Sequence, residues 1–160
     1  MASQPEYDAN SEAVRTHLTI LQDVIRRMAG NSASCKNWCI LLVAAILVLV
    51  ARTGAPAYAL LALIPALLFL FLDAYYLALE QVFRRSYESF VGKLHNGAVT
   101  LADLYVVKPG RPIGRQMLVS LRSTSVWPFY LALVVAIVLV WLLGYFLPPG
   151  GWFSYAPLSP

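Results

Sequence analysis

The chain has 160 residues, of which 59% are hydrophobic and 12% are charged, and its mean hydropathy is +0.66. Soluble domains carry about 25% charged residues, so this composition excludes an ordinary soluble domain and indicates a single membrane domain over residues 1–160. The net charge is +4, but the basic residues flank apolar runs, which favours membrane topology over nucleic-acid binding.

The first predicted element is an amphipathic cytoplasmic helix over residues 11–29, which Asn10 or Ser11 caps and Gly30 and Asn31 end. Its apolar residues recur at intervals of four and three, which is the spacing of a heptad seam. This candidate assembly seam consists of Val14, Leu18, Leu21, Ile25 and Met28.

Two predicted membrane spans follow as a helical hairpin, over about residues 35–53 and 56–79. The first is built on the uninterrupted apolar run 38–51, and a turn at Gly54 and Pro56 separates it from the second. At 1.5 Å per residue, the second apolar run reaches roughly 34 Å, enough for a hydrocarbon core of about 30 Å.

The second span is predicted to continue into the cytoplasm as a helix over residues 80–95, until Asn96 and Gly97 stop it. Its apolar positions give a second seam: Phe83, Tyr87, Phe90 and Leu94. Two seamed helices on the same side of the membrane should pack on each other, within one chain or between chains of a homo-oligomer.

A cytoplasmic loop with an interfacial stretch is predicted over residues 97–124, and a third span over about 125–147. Residues 98–112 give no clear pattern, because 100–107 fits either a short strand or an extended loop. Residues 113–121 are amphipathic and suit a membrane surface. The fold class expected is therefore an all-α integral membrane protein with three transmembrane helices.

The positive-inside rule sets the expected direction of these spans. Four basic residues precede the apolar run 38–51 and seven lie between the second and third runs, against one in the outer turn and none after Arg122. This distribution predicts a cytoplasmic N-terminus and an external C-terminus in the inner (plasma) membrane of a bacterium.

Asp73 is the candidate intramembrane polar site, because an acid within a span is costly and often lines a pathway or pairs with a base. The alternative is a hydrated acid at the cytoplasmic interface. We expect no Lys or Arg inside a span to pair with it. Pro65 is a candidate mid-span kink, and Cys35 and Cys39 are expected to be small buried thiols.

Basic residues are candidate lipid or anion contacts, although positive-inside topology also explains them: Arg26, Arg27, Arg84, Arg85, Arg115 and Arg122. The sequence contains no Gly-rich phosphate loop, no Ser–His–Asp set, no metal motif and no paired catalytic carboxylates. We therefore expect no enzyme activity, no metal and no cofactor.

The segments at residues 31–38 and 72–80, Asn-Ser-Ala-Ser-Cys-Lys-Asn-Trp and Leu-Asp-Ala-Tyr-Tyr-Leu-Ala-Leu-Glu, flank the predicted hairpin. With the inward helices, residues 11–95 resemble the SLATT class, two-transmembrane effectors associated with SMODS and SLOG proteins. The third predicted span departs from that two-span pattern. The resemblance implies an oligomeric bacterial antiviral effector that perforates the inner membrane.

The sequence thus leaves three functional hypotheses open. The first is an oligomeric inner-membrane effector or pore-type component of an antiviral defence system. The second is a membrane anchor or scaffold that recruits a cytoplasmic protein partner. The third, a small transporter or channel subunit, is disfavoured by the nearly uncharged spans. Membrane lipids are partners under all three.

Overall fold

The computed structural model of the protein describes residues 11–107 and 113–146. Within these residues 87% are helical and no strand is present. The α-helices are α1 (Glu12–Thr53), α2 (Leu63–His95), α3 (Ile113–Leu121) and α4 (Trp127–Phe146). Two 3-10 helices, Pro56–Ala62 and Leu101–Asp103, precede α2 and α3 respectively.

Within residues 11–107 and 113–146, three helical stretches are long and apolar enough to cross a membrane: Glu12–Thr53, Pro56–His95 and Trp127–Phe146. The all-helical class and the three candidate spans are therefore confirmed. Helix α3 coincides with the amphipathic stretch predicted over 113–121, and α4 lies within the predicted third span.

The predicted end of a first helix at Gly30 and Asn31 is wrong, because α1 runs through both residues. A glycine inside a helix costs only about 1 kcal/mol, which the rest of a 42-residue helix easily offsets. Glycine ends a helix where its backbone turns left-handed, and Gly54 (φ 65°) and Gly97 (φ 62°) do so after α1 and α2. Those two predicted turns are confirmed.

Pro65, the candidate mid-span kink, is the third residue of α2 and follows a 3-10 helix, so it does not interrupt a continuous α-helix. The first turn of an α-helix tolerates proline, since its N–H groups lack helical partners there. The helix expected from about residue 56 is a 3-10 helix over Pro56–Ala62 and becomes an α-helix at Leu63.

The chain divides into two compact units. We call residues 1–33 and 74–120 the polar unit, and residues 34–73 and 121–160 the span unit. The long helices α1 and α2 are each divided between the two units.

The core of the polar unit is formed by Val14, Phe90 and Leu104, all buried. Leu18 and Leu94 pack against this core, so residues from both predicted seams meet within one chain. Leu21 and Phe83 are also buried, while Ile25, Met28 and Tyr87 are half-buried. The sequence allowed the seams to pack within one chain or between chains. At Val14, Leu18, Phe90 and Leu94 they pack within one chain.

In the span unit, α4 packs against the 3-10 helix Pro56–Ala62. The contact is close at Gly144, where an added Cβ would overlap the side chain of Pro56. Ala59 and Ala62 of the 3-10 helix are completely buried. Small residues allow helix backbones to approach closely, so that apolar helices are held together by van der Waals packing.

Candidate functional site

The span unit contains a buried ion pair. The side chain of Asp73 on α2 is 0% exposed, and its Oδ2 lies 2.6 Å from Nζ of Lys36 on α1. The side chain of Lys36 is 19% exposed. The expectation that no basic residue inside a span would pair with Asp73 is therefore wrong.

Sequence reasoning missed Lys36 because it precedes the apolar run 38–51 and was counted with the basic flank. A lysine has a long flexible stem, and its ammonium need not stay at the depth of its own backbone. The available signal was the proposed boundary itself, since a span that begins at residue 35 already contains Lys36.

Three other side chains surround the pair. Cys35 and Cys39, one helical turn apart on α1, are buried and are free thiols, and Tyr130 of α4 is 4% exposed. The Tyr130 hydroxyl is buried and has no hydrogen-bond partner among the described residues. The Lys36–Asp73 pair is therefore the polar contact that joins two helices here, α1 and α2. It favours one arrangement of these helices, because each buried charge needs its partner.

The polar unit contains an open cleft of about 410 Å³. One wall is a single face of α2, and the others come from α1 and from residues 102–106. The lining residues are His17, Leu21, Val82, Arg85, Ser86, Ser89, Phe90, Lys93, Ala102, Asp103 and Val106.

Residues 99–107, which we call the strap, form one side of this cleft. Asp103 holds the strap in place. Asp103 Oδ2 accepts hydrogen bonds from the Thr100 N–H (3.0 Å) and the Thr100 hydroxyl (2.9 Å). Its Oδ1 lies 2.6 Å from Nζ of Lys93 on α2. The hydrogen bond from Lys93, followed by those from Thr100, lowers the pKa of Asp103 to about 2. The strap is therefore tied to α2 by a charged group that is ionised at neutral pH.

The strap is tied to α1 through His17, which is 2% exposed. The Tyr105 N–H donates to Nδ1 of His17 at 3.1 Å, and the imidazole packs on the Phe90 ring with centroids 4.5 Å apart. Burial lowers the pKa of His17, against a smaller opposing effect of the Asp103 charge. Because Nδ1 accepts a hydrogen bond, the ring is neutral and carries its proton on Nε2.

Tyr105 has a φ of 61°, a left-handed conformation that is uncommon for a residue with a side chain. Such a conformation persists only where the surroundings fix it. Here the surroundings are the hydrogen bond to His17 and the burial of the preceding Leu104 in the core. Sequence reasoning did not identify His17 as a functional residue. The signal was its place between Val14 and Leu21 on the buried side of α1.

The candidate arginines do not form one basic site. Arg26 pairs with Asp23, and Arg84 pairs with Glu80 one turn away on α2. Arg85 alone among the six lines the cleft, and its Nη1 donates to Oε1 of Gln116 at 2.9 Å. Arg27, Arg115 and Arg122 are exposed.

Comparison of the chain with protein families, with characterised proteins and with solved structures finds no match. The resemblance to SLATT effectors therefore stays a prediction. Residues 11–107 and 113–146 contain no group of three or more His, Cys, Asp and Glu side chains arranged to hold a metal ion. The polar groups that line the cleft are the Arg85 guanidinium, the hydroxyls of Ser86 and Ser89, the His17 imidazole and the Lys93–Asp103 ion pair, and apolar side chains lie beside them.

Proposed function

We propose that this protein is a membrane anchor of the bacterial inner membrane whose polar unit recruits a cytoplasmic protein partner through the cleft. The distribution of basic residues supports this orientation, with the N-terminus and the segment between the second and third spans inside and the C-terminus outside. The partner we expect presents an acidic or polar group to Arg85 and an apolar side chain to the cleft floor.

The proposal is supported by the way the seam residues pack. Val14, Leu18, Phe90 and Leu94 pack together within one chain, so they are not available to assemble copies of it. The cleft beside them stays open and displays Arg85 and Ser89 to solvent. A surface that remains open after the core has formed is the better candidate for a partner site.

The span unit supports anchoring rather than transport. Its buried acid, Asp73, is paired with Lys36 and is 0% exposed, so this carboxylate does not line an open path. Transport sites commonly place polar groups in a cavity near the middle of the membrane. Apolar side chains are instead exposed along the spans, as lipid contact requires: Leu41, Leu49, Leu68 and Leu139 are four examples.

The oligomeric pore-type effector implied by the SLATT resemblance is the competing hypothesis. It requires an assembly surface other than the seam residues already packed in the polar unit. It predicts a defined ring of chains and membrane conductance, whereas the anchor hypothesis predicts neither.

Photocrosslinking in cells that express the full chain tests the proposal. A photoreactive amino acid replaces Ser89, which lines the cleft, or Glu88, its exposed neighbour that does not. We expect one discrete adduct to a second protein from position 89 and none from position 88. Arg85→Glu should abolish that adduct, while Arg84→Glu, an equal charge change outside the cleft, should leave it.

Two results would overturn the proposal. Adducts to a second copy of the same chain from position 89 would favour the oligomeric effector. Equal, diffuse crosslinking from positions 88 and 89 would show that the cleft has no dedicated partner.

A further inference from the structure

Helix α3 exposes apolar side chains on one face of the polar unit. Leu118 is 67% exposed and Val119 is 57% exposed, and Arg115 is exposed on the same face at the i, i+3 and i+4 spacing. Large apolar residues at this level of exposure, next to one another on a short helix, indicate a surface that is covered in use.

The opposite face of α3 is fixed to α2 within the polar unit. Gln116 accepts a hydrogen bond from Arg85, and its amide donates to Oε1 of Gln81 at 2.5 Å. Ser120, four residues further along, is completely buried. The polar contacts thus hold one side of α3 against α2, which leaves the face of Leu118 and Val119 turned outward.

The sequence on both sides of α3 is basic. The sequence from residue 104 to residue 126 contains four basic residues and no acidic one. Those basic residues are Lys108, Arg111, Arg115 and Arg122. A basic segment with an apolar face is complementary to an anionic lipid surface, where the apolar residues enter the headgroup region and the cations contact phosphates.

We propose that the outward face of α3 lies on the anionic cytoplasmic surface of the membrane. Leu118 and Val119 insert at the level of the headgroups, and Arg115 contacts lipid phosphate. This inference rests on the proposed anchoring in the inner membrane. A protein partner would also cover an apolar pair, but the absence of acids over residues 104–126 favours an anionic bilayer as the occupant.

The test uses the full-length protein in nanodiscs with an environment-sensitive fluorophore on Leu118→Cys. Wild-type protein treated with the same reagent corrects for labelling of Cys35 and Cys39, which are buried. The matched control is Glu88→Cys, an exposed site on α2 of the same unit. We expect blue-shifted emission and quenching by headgroup spin-labelled lipid at position 118, and neither at position 88.

Lipid composition tests the electrostatic part. The blue shift at position 118 should be larger in nanodiscs that contain phosphatidylglycerol than in phosphatidylcholine alone, and Arg115→Gln should reduce that difference at least twofold. Emission at position 118 that matches position 88 in both lipids would overturn the proposal. A blue shift at position 118 that appears only in cells, and never in nanodiscs, would assign the face to a protein partner instead.

A fluorophore on Leu139→Cys, an exposed site in α4, separates the two proposals. Quenching at position 139 by deep spin-labelled lipid without quenching at position 118 would refute the α3 surface alone. Absence of quenching at position 139 would refute membrane anchoring itself.

Discussion

Lys36 and Asp73 form an ion pair of 2.6 Å across α1 and α2, with the carboxylate fully buried and the ammonium side chain 19% exposed. Two charges removed from water stabilise each other only as a pair, and removal of one partner leaves the other without compensation. The pair therefore favours one arrangement of α1 and α2.

Asp73→Asn should destabilise the span unit by about 3 kcal/mol, the lower end of the range for breaking a buried pair, because Lys36 keeps some contact with solvent. Lys36→Met should cost a similar amount, and the double variant Lys36→Met/Asp73→Leu should recover much of the loss. Thermal unfolding in detergent or nanodiscs measures these differences.

The control for this pair is Asp23→Asn, which breaks the i, i+3 contact with Arg26; the Asp23 and Arg26 side chains are 63% and 77% exposed. Such surface pairs contribute about 0.2–0.5 kcal/mol. If Asp73→Asn were as mild as Asp23→Asn, the ion pair would not fix the helix packing.

The strap should loosen as the pH falls. His17 has a pKa below its ordinary 6.5 in the folded chain, so the neutral ring is the form that folding favours. Its contribution is complete above pH 6.5 and declines as the pH falls through 6.5 toward the lowered pKa. Asp103 stays ionised over that range, because its pKa is about 2. The protection of residues 99–107 against hydrogen exchange, taken relative to the intrinsic exchange rate at each pH, should therefore decrease below pH 6.5.

His17→Asn is the matched variant for the strap, since an amide oxygen accepts the Tyr105 N–H without titrating. It should make this protection, again relative to the intrinsic exchange rate, independent of pH between 7.5 and 5. Retention of the wild-type pH profile of protection in this variant would place the titrating group elsewhere. A wild-type strap whose protection does not respond to pH would refute the role of His17.

Gly144 should be intolerant of any side chain. Gly144→Ala places a Cβ against Pro56 in the contact between α4 and the 3-10 helix, so one element must shift. Overpacking of this kind costs about 1–3 kcal/mol. Gly30→Ala is the control, because nothing lies within 4 Å of the added methyl and alanine is the better helix former by up to about 1 kcal/mol. Unfolding midpoints that move together would contradict this packing.

Shortening a side chain in the core of the polar unit should lower the stability of that unit without changing how many chains associate. Val14→Ala removes two buried methyl groups next to Phe90 and Leu104, at a cost of about 1–3 kcal/mol. Because the contact is within one chain, its unfolding midpoint should not depend on protein concentration. A midpoint that rises with concentration would place the seam between chains.

The sequence predicted the candidate spans and α3 because apolar runs and helical periodicity are properties of neighbouring residues. Helix ends were harder. Gly54 and Gly97 have a positive φ and end helices, whereas Gly30 continues α1, so the presence of a glycine does not by itself mark a helix end. Pro65 was misplaced for the same reason, since the sequence does not mark where the 3-10 helix gives way to α2.

The candidate sites depend on contacts between residues that are far apart in the sequence, so they were harder to predict. Asp73 was identified from its place in an apolar run, but its partner Lys36 is 37 positions away and was hidden in the basic flank. His17 gains its role from Tyr105, which lies 88 residues away in a strap with no regular periodicity. Such pairings follow from tertiary packing, which a single sequence does not encode in any local pattern.

The central claim is that the seam residues are used within one chain and that the protein is an anchor, not a self-assembled pore. Native mass spectrometry of the full-length protein in nanodiscs tests it directly. We predict one chain per nanodisc at every protein concentration and no conductance in lipid bilayers. A defined ring of several chains that is lost in Val14→Asp would contradict the account and restore the oligomeric effector.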